Sequence, residues 1–146
     1  MITIRPAALA DLPRILEMGT RFLHSTQYAC EIGDNPAQMR ILAERLLTQS
    51  DGMIVVADRE GHVVGMIGML LFPHHISSEL IAGEVFWWME PEARGGGLRL
   101  LRAAETWARA QGVKRIQMIA PTLAVGHVYQ RCGYQLVEMA YQRTLA

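Results

Sequence analysis

One stretch constrains this chain most: an apolar segment is followed by three consecutive glycines and then by an amphipathic run. The apolar segment covers residues 84–89, and the glycines are residues 95–97. After them, apolar side chains recur at the three-and-four spacing of one helix face, and Gly112 stands where a helix C-terminal cap is expected. The face consists of Leu100, Leu101, Ala104, Trp107 and Ala108. The sequence therefore predicts a strand, a glycine turn, and a helix that begins at or just after the glycines.

The start of this helix is a candidate anion site. The first turn of a helix has backbone N–H groups without intrahelical partners, and it carries the positive end of the helix dipole. Glycines allow an anion to approach the main chain closely, and Arg94, Arg99 and Arg102 add positive charge, which Glu90 and Glu92 partly offset. The residues thus favour a phosphate-binding turn, with a purely structural turn as the alternative.

Two other phosphate-binding patterns are excluded at this turn. No Lys-Ser or Lys-Thr pair follows the glycines, so a Walker A loop is absent. The dinucleotide pattern Gly-x-Gly-x-x-Gly fails because Leu100 occupies its last position. Nucleotide hydrolysis and dinucleotide redox chemistry are therefore not expected.

Composition narrows the class of protein further. A chain of 146 residues with zero formal net charge fits one domain over residues 1–146, and it offers no general basic field for nucleic acid. Its apolar runs are too short to span a membrane, and its first residues do not resemble a secretory leader, so a cytoplasmic location is expected. Cys30 and Cys132 do not form a zinc or disulfide motif, and the pair His74-His75 has no third ligand nearby in sequence. No metal is expected.

The order of the predicted elements indicates the fold class. Strands are predicted over residues 2–5, 53–58, 63–72, 84–89 and 114–119. Helices are predicted over residues 12–23, 36–47, 98–111 and 123–131. The segment 134–145 has strand character throughout and is expected to form one bent strand or two. This order predicts an α/β protein with a mixed sheet and helices on its faces.

The glycine turn resembles the pyrophosphate-binding motif of the GNAT superfamily of N-acetyltransferases. That motif has Arg or Gln, two free positions, Gly, a free position, and then Gly or Ala, between a strand and a helix. Arg94 and Gly97 match it, whereas Arg99 stands where the family usually has Gly or Ala. The segment 129–134 is similar to the family's Tyr-x-x-x-Gly-Phe, and the resemblance covers nearly the whole chain. It implies a mostly antiparallel central sheet with one splayed strand pair, flanked by helices.

The resemblance also implies acetyl-CoA as cosubstrate and suggests which residues bind it. The pantetheine arm would lie against the end of the strand at residues 88–89, and the diphosphate would bind at the glycine turn. Thr122 stands where many relatives have an asparagine that holds the same arm. The residues expected to bind the cosubstrate are Trp88, Met89, Arg94, Gly95, Gly96, Gly97, Leu98, Arg99 and Thr122.

Glu84 and Tyr129 are the candidate catalytic residues. Acetyl transfer needs a neutral amine, so a general base must take a proton from it. Strand alternation would place Glu84 on one face with Phe86 and Trp88, whose rings would raise the pKa of the carboxyl group; a salt-bridged rim carboxylate is the alternative. Tyr129 matches the family tyrosine that protonates the leaving thiolate, and an ordinary core tyrosine is the alternative.

The function expected from these features is N-acetylation of a primary amine of a small molecule or a protein. Tyr28, Phe72, Phe86 and Trp88 would favour a partly apolar acceptor if they line the site. The connection at residues 24–28 either overhangs that site or is an ordinary surface loop. The alternative function is a noncatalytic acyl-CoA-binding module in which Glu84 is structural. A homodimer formed through the apolar C-terminal segment is also possible.

Overall fold

A computed structural model describes residues 1–30 and 32–145. Five strands form one sheet in the order β1-β2-β3-β4-β5. The strands are β1 (Ile2–Pro6), β2 (Gly52–Arg59), β3 (His62–Pro73), β4 (Leu80–Met89) and β5 (Ile116–Gln117). The first four pair antiparallel, and β5 pairs parallel to β4. The expected mixed, mostly antiparallel sheet is thus confirmed.

Four α-helices flank the sheet. They are α1 (Leu12–His24), α2 (Pro36–Thr48), α3 (Gly97–Ala110) and α4 (Leu123–Arg131). At the start of α2 the Asn35 side chain accepts a hydrogen bond from the Gln38 amide at 3.1 Å, with proline at the first helical position. The last helical turn of α3 is followed by Gly112, whose φ of +77° is the left-handed conformation expected after a helix end. None of the helices that the structure describes is both long and apolar enough to cross a membrane.

The two faces of the sheet carry separate cores. On one face, α3 packs through Leu100, Ala104 and Ala108. On the other face, α1 and α2 pack through Ile15, Met18 and other buried residues. Trp87 belongs to the α3 side and Trp88 to the side of α1 and α2, so the neighbouring tryptophans point to opposite faces, as the strand period predicts.

A β-bulge interrupts the pairing of β3 with β4. Gly68 pairs with Phe86, but the next residue, Met69, pairs with Glu84, which leaves Val85 without an opposite residue. A Cβ atom at Gly68 would lie 2.6 Å from Cζ of the Phe86 ring, so only glycine fits beneath that ring. Close packing at Gly68 thus occurs beside the bulge.

Strands β4 and β5 separate after a short paired segment. Their register comprises Ala82 with Ile116 and Gly83 with Gln117, and the Ala82 amide also donates to the Arg115 carbonyl at 3.1 Å. Strand β4 continues to Met89 without a partner on that side. The splayed strand pair is thus present, and it makes β5 shorter than the predicted strand over residues 114–119.

The expectation of C-terminal strands is wrong. Residues 134–145 contain no strand, although their sequence favours one. Several apolar side chains of this segment are exposed, namely Leu136, Val137, Met139, Tyr141 and Leu145. Strand propensity alone therefore does not decide whether a segment joins the sheet.

Candidate active site

A cavity of about 810 Å³ opens where β4 ends. The end of β4, the first turns of α3, and α4 form most of its wall, and the end of α1 contributes Phe22 and Ser25. Its volume falls within the usual range of small-molecule sites. The strand and the glycine turn contribute six lining residues: Trp87, Trp88, Met89, Arg94, Gly97 and Leu98. The predicted strand, turn and helix therefore meet at one cavity.

The charged side chains that line the cavity are mostly positive. They are Arg94, Arg102 and Arg131, together with one carboxylate, Glu105. The whole chain has 14 basic and 14 acidic residues, so this excess is local. The N-terminus of α3 lies at the same wall and adds the positive end of its dipole. The cavity is therefore suited to an anionic ligand.

The three glycines lie in a continuous helical segment and do not form an open loop before α3. Residues Pro91–Gly96 form a 3-10 helical turn that leads directly into α3, and the Gly97 amide donates to the Arg94 carbonyl. None of the three glycines has a positive φ. Gly97 lines the cavity, whereas Gly96 is buried against Ile2 and Met89. Of the three, Gly97 is thus the one in direct reach of a ligand.

A carboxylate and a phenol meet where β4 and β5 part. The Tyr129 hydroxyl donates to Oε1 of Glu84 at 2.9 Å and lies 3.2 Å from the Ile119 carbonyl. The Ile119 amide donates to the same Oε1 at 3.2 Å. The Tyr129 ring also stacks on Trp87, with 5.6 Å between ring centroids. Trp87 therefore connects this pair to the wall of the cavity.

The surroundings change the acidity of both groups. Burial raises the pKa of Glu84 to about 7, although the hydrogen bonds from Tyr129 and Ile119 oppose the rise. Burial also raises the pKa of Tyr129, and the neighbouring Glu84 charge raises it further. The carboxyl group can thus exchange a proton near neutral pH, while the phenol stays protonated.

A sequence model of a protein family matches most of the chain and identifies its family. The model of the acetyltransferase (GNAT) family matches residues 20–134. The chain belongs to the GNAT acetyltransferase family. Among curated protein sequences, none matches it.

Solved GNAT structures share its fold at low sequence identity. A putative acetyl transferase from Pyrococcus furiosus is 23% identical with a TM-score of 0.80, covering 99% of this chain and 100% of that one. The aminoglycoside N-acetyltransferase AAC(6')-Iy in complex with CoA is 14% identical with a TM-score of 0.81, covering 99% and 95%. A predicted acetyltransferase from Clostridium acetobutylicum, solved with acetyl-CoA, is 15% identical with a TM-score of 0.78, covering 99% and 96%.

Some of the residues expected to bind the cosubstrate in this GNAT chain do not line the cavity. The Arg99 guanidinium donates to the Ile2 carbonyl at 2.7 Å, on the side of β1. Gly95 is exposed and also lies outside the lining. Thr122 does line the cavity, but its hydroxyl accepts the Val125 amide at 3.3 Å and so caps α4. The cavity is therefore formed by part of the predicted set.

The predicted surroundings of Glu84 are wrong. Simple alternation placed Glu84 with Phe86 and Trp88, but the bulge at Val85 shifts the alternation by one residue. Phe86 and Trp88 pack on the side of α1 and α2, whereas Glu84 contacts Tyr129 of α4. The pKa of Glu84 is still raised, as predicted, but beside Tyr129 and Ile119. Phe86 is 2% exposed and thus cannot line an acceptor site.

Several cavity residues were missed because they come from other elements. Arg131 and Cys132 follow Tyr129 by two and three positions and reach the cavity from the end of α4. Phe22 and Ser25 arrive from α1, which no local pattern connects to the glycine turn. Cys132 is a free, exposed thiol, while the Cys30 side chain lies outside the described part of the chain. Within residues 1–30 and 32–145, His, Cys, Asp and Glu form no group of three able to hold a metal ion.

Proposed function

We propose that this GNAT protein transfers the acetyl group of acetyl-CoA to a primary amine of a small molecule or a protein. The observation that carries the proposal is the hydrogen-bonded pair of Glu84 and Tyr129, located where β4 and β5 part and joined through Trp87 to a positively charged cavity. A binding module would need the cavity, whereas a carboxyl group hydrogen-bonded to a phenol beside it is typical of proton-transfer chemistry.

The residues of the cavity fit acetyl-CoA. Arg94 and Arg102, with the N-terminus of α3 beside Gly97, would hold the diphosphate. Trp88 and Met89, at the end of β4, would lie along the pantetheine arm. When bound there, the thioester supplies an activated acetyl group.

Glu84 is proposed as the general base. An ammonium group has no lone pair with which to attack a carbonyl carbon, so a proton must leave the amine first. Both hydrogen bonds to Glu84 described above end on Oε1, which leaves Oε2 to accept that proton, directly or through a water. A pKa of about 7 keeps a large fraction of the carboxyl group ionised at neutral pH.

Tyr129 is proposed as the acid that protonates the departing thiolate. Its pKa is raised in part by the Glu84 charge, so the phenol is a weak donor while Glu84 is ionised. Once Glu84 has accepted the proton of the amine, that charge is gone and Tyr129 becomes a better donor. The 2.9 Å hydrogen bond then allows Glu84 to return a proton to the phenolate. The two residues thus act in sequence, with no net proton gained by the protein.

The first acceptors to test are primary amines of several classes. Two of the similar structures are enzymes described as aminoglycoside N-acetyltransferases, and another is described as a ribosomal-protein-alanine N-acetyltransferase. An acceptor screen should therefore contain aminoglycosides, simple alkyl amines and peptides with a free N-terminus.

The decisive experiment is calorimetric titration with acetyl-CoA of the wild type, Gly97→Glu and Gly97→Ala. A glutamate at position 97 places bulk and negative charge at the cavity wall and should abolish binding. A Cβ at this position lies 3.4 Å from Met89 Cγ and 3.5 Å from Trp87 Cζ2, which is ordinary contact, and the backbone is already helical. Gly97→Ala should therefore fold normally and retain measurable binding.

Turnover of an amine by the wild type, together with its loss in Glu84→Gln, would support the proposed acetyltransferase activity. A folded wild type that fails to bind acetyl-CoA would refute the proposal. Binding of acetyl-CoA without turnover of any amine class would instead favour the noncatalytic module.

A further inference from the structure

Glu90 is a buried charged residue directly behind the cavity wall. It follows the last residue of β4 and is 7% exposed, and it is not among the residues that line the cavity. Its amide donates to the Val64 carbonyl at 2.8 Å, which extends the pairing of β4 with β3 by one residue. From the sequence, Glu90 was expected to offset the positive charge of the glycine turn, but its carboxylate points to α1 instead.

The carboxylate of Glu90 joins α1 to the end of β4. Oε1 accepts the Trp88 indole N–H at 2.9 Å and the Arg21 Nε–H at 2.9 Å. Nη2 of Arg21 lies 2.8 Å from the same oxygen, and Nη2 of Arg14 lies 3.9 Å from it. Burial acts to raise the pKa of Glu90, but these partners outweigh it and hold the pKa below its ordinary value. Glu90 therefore stays ionised, with its charge neutralised from α1.

The Trp88 indole in turn supports an arginine of the cavity. The Arg94 guanidinium carbon lies 5.1 Å from the centre of the Trp88 ring, within the range of a cation–π contact. Both residues line the cavity. Since one edge of the indole is held by Glu90, its ring plane is fixed, and the face presented to Arg94 is fixed with it.

We propose that Glu90 is a positioning residue for the cosubstrate: it fixes the Trp88 ring so that Arg94 is held at the cavity wall to receive the diphosphate. The inference rests on the proposed function, because Arg94 is assigned to acetyl-CoA there. Glu90 touches no reacting atom in this scheme and acts through Trp88. Phe22 and Ser25, which line the cavity, lie on the same helix end as Arg21, so the Glu90 contact joins that helix end to the end of β4.

The positioning role and a simple charge effect predict opposite changes in the affinity for acetyl-CoA when Glu90 is removed. If Glu90 acted only by its charge, its removal would strengthen the binding of an anion at the glycine turn. If Glu90 positions Trp88, its removal weakens binding, because Arg94 loses a fixed support. Glu92 provides the matched control, since it is an exposed carboxylate two positions along the chain and lies outside the lining.

The test measures the Kd and KM for acetyl-CoA in Glu90→Ala, Glu90→Gln and Glu92→Gln. Glu90→Ala should weaken binding about fivefold, the size expected from loss of one partly exposed cation–π contact, with kcat at saturating acetyl-CoA unchanged. The glutamine amide oxygen can still accept the Trp88 N–H, so Glu90→Gln should restore binding to within about twofold of the wild type. Glu92→Gln should leave binding unchanged or slightly tighter.

A second pair of variants keeps the proposal testable if Glu90→Ala does not fold. Trp88→Phe retains a ring but has no N–H to donate to Glu90, so it should weaken binding about as much as is expected for Glu90→Ala, whereas Glu90→Gln should not. Unchanged or tighter binding in Glu90→Ala, or in Trp88→Phe, would overturn the positioning role. A wild type that does not bind acetyl-CoA would overturn the proposed function and this role together, so the two failures are distinguishable.

Discussion

Glu84→Gln should stabilise the protein at alkaline pH while removing its activity. The pKa of Glu84 is raised from 4.5 to about 7 in the folded state, because burial penalises the ionised form. The folded state therefore binds this proton more tightly than the unfolded state, and the stability it contributes below pH 4.5 is lost as the pH rises through 7. The full loss corresponds to about 3 kcal/mol. A glutamine cannot ionise and can still accept from Tyr129 and Ile119 through its oxygen.

The assay is urea unfolding of the wild type and Glu84→Gln at pH 5 and pH 8. Comparing the two proteins cancels the other titrating groups, so their difference reports Glu84 alone. The variant should gain about 2.5 kcal/mol relative to the wild type between these two pH values. Glu138→Gln, in the exposed C-terminal segment, should show no such change. A difference between wild type and Glu84→Gln that is the same at both pH values would refute the assignment of a raised pKa to Glu84.

Three further predictions concern the phenol, the bulge and the C-terminal segment. Tyr129→Phe removes a hydrogen bond that lowers the pKa of Glu84, so this pKa should rise by about one unit. In the pH profile of kcat/KM, the increase in activity near pH 7 should therefore shift to higher pH by the same amount. Gly68→Ala places a Cβ within 2.6 Å of the Phe86 ring and should cost about 2 kcal/mol in urea unfolding; an unchanged midpoint would show that the ring can move aside. If the exposed C-terminal segment forms a homodimer interface, light scattering should give a dimer for the wild type and a monomer for the double variant Val137→Lys, Met139→Lys; equal masses would exclude this interface.

The strand, glycine turn and helix could be predicted from the sequence because each has a local cause. The apolar period defines α3, and Gly112, whose φ of +77° favours glycine, marks the end of that helix. The turn between β2 and β3 also has a local cause, since its two residues, Glu60 and Gly61, have positive φ, and glycine adopts that conformation freely.

Long-range partners could not be predicted in the same way. Arg99 was assigned to the cosubstrate because it lies near the glycines in sequence, but its guanidinium reaches the Ile2 carbonyl, 97 positions away. Glu90 was assigned a role in the local charge balance for the same reason, and its partners Arg21 and Arg14 lie on α1. In each case the side chain is long enough to reach several neighbours, and the packing of the helices and strands determines which of them it contacts.

The bulge at Val85 changes the neighbours of Glu84 but not the predicted direction of its pKa shift. Alternation placed Glu84 among the rings of Phe86 and Trp88, and the bulge turns it to Tyr129. Because the bulged strand continues past the last pairing with β5, the carboxylate lies where the two strands part, and no further strand covers it there. The gap that would admit the pantetheine arm is therefore also the place where Glu84 is desolvated by α4 and can exchange a proton. The open gap between β4 and β5 and the raised pKa of Glu84 therefore occur at one place in the sheet.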